Sequence, residues 1–205
     1  MYPSKALFLD RDGTILKEIP SSDVNDPDSF GYLTEISQVE LIEGSAQAIA
    51  LARKLGYKII IVSNQSAIAR GWLTIEKLHQ INEEMYFLLK KAETEAIVDD
   101  FFFSPYHTDG VIDKYKIDSP MRKPGIGMIL EAQKKYNISM EKSVIIGDSY
   151  SDMKCGENAG TQNILVLTGY GKNAYKKCLD EGLKINFIAE NLYKAVKFIA
   201  EMHSN

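Results

Sequence analysis

Cysteine is scarce: the chain of 205 residues holds two, Cys155 and Cys178, with no C-x-x-C spacing. That excludes a disulfide framework and a cysteine zinc site, and leaves two reduced thiols that are expected to be buried. Long apolar runs are missing too. The first, Leu7-Phe8-Leu9, is cut off by Asp10, Arg11 and Asp12, so no secretory leader is expected, and no run reaches membrane-spanning length. Nor is there an excess of positive charge, since 24 Lys and Arg stand against 28 Asp and Glu, a formal net charge of −4. Without a basic footprint no nucleic-acid partner is expected, and a phosphorylated ligand must be met by a few local cations, so the expected partner is small. These absences together predict a cytoplasmic protein. Nothing in the sequence demands a partner chain, so a monomer is expected.

What is present is an ordinary globular composition, 45% hydrophobic and 25% charged, long enough to bury a sizeable core. The length fits a single domain over 1–205 with loop insertions at about 17–30 and 104–121. The chain is organised around Leu7-Phe8-Leu9-Asp10-Arg11-Asp12-Gly13-Thr14-Ile15, an apolar run that stops at two aspartates and turns on a glycine. The apolar part fits a parallel-sheet strand covered on both faces. The stretch 17–30 is polar and aperiodic, and reads either as a functional loop or as a solvated insertion. Gly31-Tyr32 then leads into an extended piece towards Val39 and Leu41.

A helix is predicted over 44–55, gathering Ala46, Ile49, Ala50 and Ala52, with Gly56 as its C-terminal cap. The clearest strand, 57–62, carries Ile59-Ile60-Ile61-Val62 and empties into Ser63-Asn64-Gln65-Ser66. An amphipathic helix over 74–92 puts Leu78, Ile81, Met85, Leu88 and Leu89 on one stripe behind an N-cap at Thr74. Phe101-Phe102-Phe103 is a third strand, followed by an irregular stretch over 104–121. Arg122-Lys123-Pro124 closes that stretch, with Pro124 expected in the first turn of a helix running to about Tyr136. A strand over 143–148 ends in Asp148, and a short helix with Asp152, Met153 and Cys155 follows. A strand over 163–167, a polar helix over 172–181, an edge strand over 185–189 and a C-terminal helix with Leu192, Ala195, Val196 and Ile199 complete the chain. Strands alternating with helices predict an α/β fold: a Rossmann-like parallel sheet with right-handed crossovers and helices on both faces.

Open sheets of that kind bind ligands at the carboxyl ends of their strands. That edge would receive Asp10 and Asp12, Ser63 and Asn64, Arg122 and Lys123, and Asp148. Two carboxylates as close as Asp10 and Asp12 repel one another unless one is protonated or a cation lies between them, so a divalent ion is expected. Mg²⁺ suits such hard oxygen donors. The hydroxyl, amide and cationic groups suit phosphate oxygens, and the chemistry indicated is phosphoryl transfer.

These motifs resemble the phosphatase branch of the haloacid dehalogenase (HAD) superfamily, whose first motif is D-x-D-G-T. The resemblance spans most of the chain and implies the HAD fold without a large cap domain. It implies Asp10 as nucleophile, Asp12 as general acid and base, Ser63 as a phosphate ligand, Lys123 as the third-motif lysine and Asp148 as a metal ligand. The implied Mg²⁺ site comprises Asp10, the backbone carbonyl of Asp12, and Asp148. Ser63-Asn64-Gln65-Ser66-Ala67-Ile68-Ala69-Arg70-Gly71 together with Arg122-Lys123-Pro124 resembles a narrower group, the D-glycero-D-manno-heptose 1,7-bisphosphate 7-phosphatases and histidinol-phosphate phosphatases. That implies substrate contacts from Asn64, Gln65, Ser66 and Arg122, and a position near the phosphate for Ser149, which is lysine in some members. The implied partner is a small phosphorylated sugar, most specifically heptose 1,7-bisphosphate. Histidinol phosphate, a polynucleotide 3′-phosphate and a non-catalytic phosphosugar-binding role are the alternatives.

Two departures stand at the expected mouth. The family loop that usually holds structural zinc through three cysteines and a histidine has Ser104, Tyr106, Ser119 and Met121 at the matching positions, and His107 alone cannot close a tetrahedral site. Structural zinc is therefore expected to be absent, with the loop held by packing through Tyr106 and Met121. The residues before Gly31 are the second departure. Among other candidates, Asp152 reads equally as a carboxylate supporting the metal site or as a helix-start residue. Arg70 reads as structural, Trp72 as a loop anchor, His79 and His203 as solvated, and the lysines at 176, 177 and 184 as a solvated face.

Overall fold

The computed structural model describes residues 3–20 and 30–204. The centre of the expected 17–30 insertion and the side chain of His203 lie outside the described residues. The main sheet has six strands in the order β5-β4-β1-β6-β7-β8, and every pairing in it is parallel. These are β1 (Lys5–Leu9), β4 (Tyr57–Asn64), β5 (Asp100–Ser104), β6 (Val144–Gly147), β7 (Gln162–Val166) and β8 (Phe187–Ala189). Two further strands, β2 (Ile19–Pro20) and β3 (Phe30–Gly31), form a separate antiparallel ribbon. The helices are α1 (Ser45–Lys54), α2 (Ser66–Ala69), α3 (Ile75–Ala92), α4 (Gly127–Tyr136), α5 (Tyr150–Ala159), α6 (Gly171–Asp180) and α7 (Leu192–Ser204).

The period-two geometry of a strand explains why the central strands read as unbroken apolar runs. Leu7, Leu9, Ile59, Ile61, Ile146, Ile164 and Val166 enter one core with α1, α3 and α7. Their alternates Ala6, Phe8, Ile60, Val62 and Ile145 enter a second core with α4 and Cys155 of α5. Leu165 packs with Met153, Ala174 and Cys178 in a third. Both faces are thus covered, and both cysteines are buried and free. From β1 the chain winds outward to β4 and β5, then returns to β6 and winds the other way. The order of winding reverses at β1, which places a ligand crevice beyond its carboxyl end.

Several boundaries differ from the sequence expectation. β4 runs to Asn64, so the polar pair Ser63-Asn64 belongs to the strand. The short helix α2 and the β2–β3 ribbon had no periodicity to announce them, because each is too short to repeat. Pro124 does not open a helix: α4 begins at Gly127. Residues 120–127 instead form a tight bend in which Gly125 N–H donates to the Arg122 carbonyl at 2.7 Å and Gly127 N–H to that of Pro120 at 2.8 Å. Thr74 caps α3 as expected, accepting from Lys77 N–H at 3.1 Å. The 104–121 stretch is tied to α2, since the Ala69 carbonyl accepts from Val111 and Ile112 N–H at 2.8 and 3.0 Å. Tyr106 packs edge-on to Tyr115, and Met121 joins the second core, as the packing expectation required.

Candidate active site

A cavity of about 260 Å³ opens at the carboxyl edge beyond β1, lined on its floor by Asp10, Asp12, Ser63, Lys123 and Asp148. Its walls carry Glu18, Tyr32, Asn64, Gln65, Arg122, Ser149 and Tyr170. All the expected site residues therefore converge there except Ser66, which starts α2 behind the wall and donates its hydroxyl to that of Tyr32 at 3.4 Å.

Asp10 follows the last residue of β1, and its N–H is anchored on the Ile146 carbonyl at 3.0 Å. Its Oδ1 accepts from Arg11 N–H at 2.7 Å and faces Lys123 Nζ at 3.0 Å. Burial raises the Asp10 pKa to about 7; Lys123 opposes that rise and the carboxylates of Asp152 and Asp12 add to it. Lys123 is itself buried, and its three N–H donors match three acceptors: Asp10 Oδ1, Asp152 Oδ1 at 2.6 Å and the Val62 carbonyl at 2.7 Å. Burial alone would lower the lysine's pKa, but the two carboxylates more than reverse it. The backbone of Lys123 is held by Asn64, whose amide exchanges two hydrogen bonds of 3.0 Å with the Lys123 N–H and carbonyl. Asn64 thus positions the lysine from the cavity wall.

Asp12 is held from another side. Arg11, only 1% exposed, grips it through Nε at 3.0 Å and Nη2 at 2.9 Å, and also reaches Asn82 Oδ1 and Gln65 Oε1. Gln65 Nε2 adds bonds of 2.9 Å to Asp12 Oδ2 and to Ser63 Oγ. The two motif aspartates consequently have separate partners: Asp10 a lysine, Asp12 a bidentate guanidinium whose planar fork fixes its direction.

Asp148 sits at the end of β6, with Oδ2 accepting from Tyr170 N–H at 2.8 Å. Its pKa is raised by burial and then by Asp10, Asp152 and Glu18. Room for it depends on two glycines. A Cβ at Gly13 (φ +75°) or Gly169 (φ +51°) would lie 2.1 Å from Asp148 Oδ2. Oxygens of Asp10, Asp148 and Asp152 lie within 4.8 Å of one another. Asp152, however, gives one oxygen to Lys123 and the other to Ser149, whose N–H and hydroxyl donate at 3.1 and 2.6 Å. The helix-start reading of Asp152 holds, because it completes the capping box of α5, and its other oxygen is the counter-ion of Lys123. Asp10 and Asp148 remain as hard, mutually repelling oxygen donors, the donor set a small divalent cation fits.

Arg11, Asn82, Glu18, Tyr32 and Tyr170 are the residues that sequence reasoning missed. A polar Asn82 on the apolar stripe of α3 was the available signal. Glu18 stands on the wall, its carboxyl pushed up to about 8 by burial and by the charges of Asp12 and Asp10. Arg122 donates to the Tyr106 carbonyl at 3.3 Å, and Ser149 is the N-cap of α5. Among the described residues no helix is long and apolar enough to cross a membrane.

Residues 120–195 match the HAD-hydrolase-like family model. The chain is 35% identical over 202 residues to the D-glycero-β-D-manno-heptose-1,7-bisphosphate 7-phosphatase of Pasteurella multocida, covering 98% of this chain and 99% of that one. It is 38% identical over 167 residues to the D-glycero-α-D-manno-heptose-1,7-bisphosphate 7-phosphatase of Photorhabdus laumondii, covering 81% and 84%. The crystal structure of D,D-heptose 1,7-bisphosphate phosphatase from B. bronchiseptica, complexed with magnesium and phosphate, superposes with a TM-score of 0.79 at 26% identity, covering 97% and 99%. The chain belongs to the D-glycero-D-manno-heptose-1,7-bisphosphate 7-phosphatase family of HAD-like phosphatases.

Proposed function

We propose that this chain, acting as one catalytic unit, is a Mg²⁺-dependent phosphomonoesterase that removes the 7-phosphate of D-glycero-D-manno-heptose 1,7-bisphosphate through an aspartyl-phosphate on Asp10. The observation that carries the reading is the division of labour on the cavity floor. Asp10 faces the cavity beside Lys123 Nζ at 3.0 Å, while Asp12 is held apart by Arg11 and Gln65.

In the first half-reaction an Asp10 oxygen attacks phosphorus in line, and the phosphoester bond to the sugar oxygen breaks. Asp12 gives a proton to that oxygen, then takes one from the water that hydrolyses the acyl phosphate. Lys123 offsets charge on the phosphoryl group, and the Ser63 hydroxyl, placed by Gln65 at 2.9 Å, hydrogen-bonds it. Mg²⁺, for which Asp10, the Asp12 carbonyl and Asp148 are the fitting ligands, supplies further neutralisation of the phosphate when bound. Arg122 and Ser149 meet the remainder of the substrate from the walls. The cavity volume and the acidic balance support a small substrate rather than nucleic acid, and we propose that the chain acts on it as a cytoplasmic monomer. Family members acting on the α and β anomers are similarly related to this chain, so the anomer is a matter for assay.

The experiment is Asp10→Asn. It preserves shape and fold and is expected to abolish phosphate release, whereas a variant with near-normal turnover refutes the assignment.

A further inference from the structure

Asp12, to which the proposed mechanism gives both proton transfers, has a side chain 24% exposed, against 13% for Asp10 and 1% for Lys123. Packing therefore does little to aim it, and its direction is set by its hydrogen-bond donors. Two of these come from Arg11, its neighbour in the chain. Adjacent residues bonded to each other can still swing together as a unit, so the guanidinium needs a hold outside its own loop.

Helix α3 supplies that hold. Arg11 Nη1 donates to Asn82 Oδ1 at 3.0 Å across 71 residues of chain, and both partners are buried. The guanidinium is planar, so a third point on Asn82, added to the two on Asp12, fixes the orientation of the whole fork. Gln65, in the turn between β4 and α2, accepts from Nη2 at 3.2 Å and donates to Asp12 Oδ2 at 2.9 Å. Asn82 stands on the buried stripe of α3, where Leu78, Ile81, Met85 and Leu89 all enter the main core. An amide on such a face gives up water and gains nothing from apolar contact, so its place there is explained by the bond it makes. Asn82 is not among the residues that line the cavity, so its influence on the reaction passes through Arg11.

We infer that Asn82 is a positioning residue for the proton transfers of Asp12: from α3 it holds the Arg11 guanidinium, and through that group it sets the direction in which the Asp12 carboxylate meets the leaving oxygen and the hydrolytic water. Asn82 itself neither gives nor takes a proton. The inference rests on the proposed reading that Asp12 is the general acid and base.

Three variants test it, each assayed for turnover with Mg²⁺ and for thermal unfolding. Asn82→Leu has about the same volume, suits the apolar stripe and removes the acceptor. It is expected to lower kcat about tenfold or more while KM stays within about twofold. Asn82→Asp keeps shape and an acceptor oxygen, and is expected to hold kcat within about threefold of wild type, the reverse of the order that packing alone gives. Arg11→Met combined with Asn82→Leu replaces both buried partners by apolar groups, so its melting temperature is expected to lie above that of Asn82→Leu alone. Its kcat is expected to stay at least as low, because the anchor and the clamp act as one unit. The inference is overturned if Asn82→Leu keeps kcat within about threefold of wild type, or if kcat recovers along with stability in the double variant. Failure of the wild type to hydrolyse heptose bisphosphate refutes the proposed substrate instead, and the kcat ratios are then read with whichever phosphomonoester it does hydrolyse. A crystal structure of Asn82→Leu judges the positioning without any substrate: the Asp12 carboxylate is expected to move by more than about 0.5 Å, and an unmoved carboxylate overturns the inference.

Discussion

Asp152→Asn separates the two things a carboxylate near a metal site can be. The side chain is fully buried, with one oxygen 2.6 Å from Lys123 Nζ and the other accepting from Ser149. Asparagine has nearly the same shape and keeps one acceptor oxygen, which the capping box retains. The amide –NH₂ is then turned towards an ammonium, donor against donor. Removing one partner of a buried ion pair costs about 3–5 kcal/mol. Lys123 keeps Asp10 and the Val62 carbonyl, and losing a negative charge relieves the repulsion felt by Asp10 and Asp148, so the low end applies, about 3 kcal/mol. For a chain of this size that corresponds to a fall in melting temperature of roughly 10 °C. Urea unfolding of the metal-free protein measures the stability, and isothermal titration measures Mg²⁺ affinity. A counter-ion loses stability with Mg²⁺ affinity changed less than about threefold, whereas a coordinating carboxylate would lose more than about tenfold. Stability within about 1 kcal/mol of wild type, together with collapsed Mg²⁺ binding, would refute the reasoning.

Other consequences follow from the same contacts. Burial and neighbouring carboxylates raise Asp10 to about 7 and Glu18 to about 8, and raise Asp148 in the same direction. The metal-free native state therefore holds more protons than the unfolded chain from about pH 4 to about pH 8 and loses stability as pH rises through that window. The rise in melting temperature on adding Mg²⁺ should be larger at about pH 8 than at about pH 5, and an equal rise at both contradicts the account. Gly13→Ala puts a Cβ 2.1 Å from Asp148 Oδ2 at a φ of +75°, so a loss of about 2 kcal/mol or more in thermal unfolding and weakened Mg²⁺ binding are expected. Arg11→Met fills the same space without the clamp on Asp12. It should lower kcat much more than it raises KM, and unchanged kcat would show that Arg11 does not position Asp12.

Much of the fold was legible because its determinants are local. Unbroken apolar runs such as Ile59-Ile60-Ile61-Val62 announce strands covered on both faces, and the 3.6-residue stripe of α3 announces a helix. The floor of the site was legible because strand ends on a parallel sheet share one edge, so Asp10, Ser63, Lys123 and Asp148 had to meet. What escaped depends on distant partners. Arg11 reads as a surface charge in any local window, and only Asn82 and Gln65, 71 and 54 residues away, make it a buried clamp. The Asn64 amide locks the Lys123 backbone, 59 residues on, a tie no local window shows. Pro124 carried a helix-start signal, but the bend that satisfies the Pro120 and Arg122 carbonyls delays α4 to Gly127.

The central claim is tested most directly by phosphate release from metal-stripped protein supplied with Mg²⁺, comparing both anomers of heptose 1,7-bisphosphate with histidinol phosphate and simple sugar phosphates. The account predicts Mg²⁺-dependent release of a single phosphate from a heptose bisphosphate, leaving the 1-phosphate, at a rate orders of magnitude above the other substrates. Faster release from histidinol phosphate, or slow and indiscriminate release from the whole series, would contradict it.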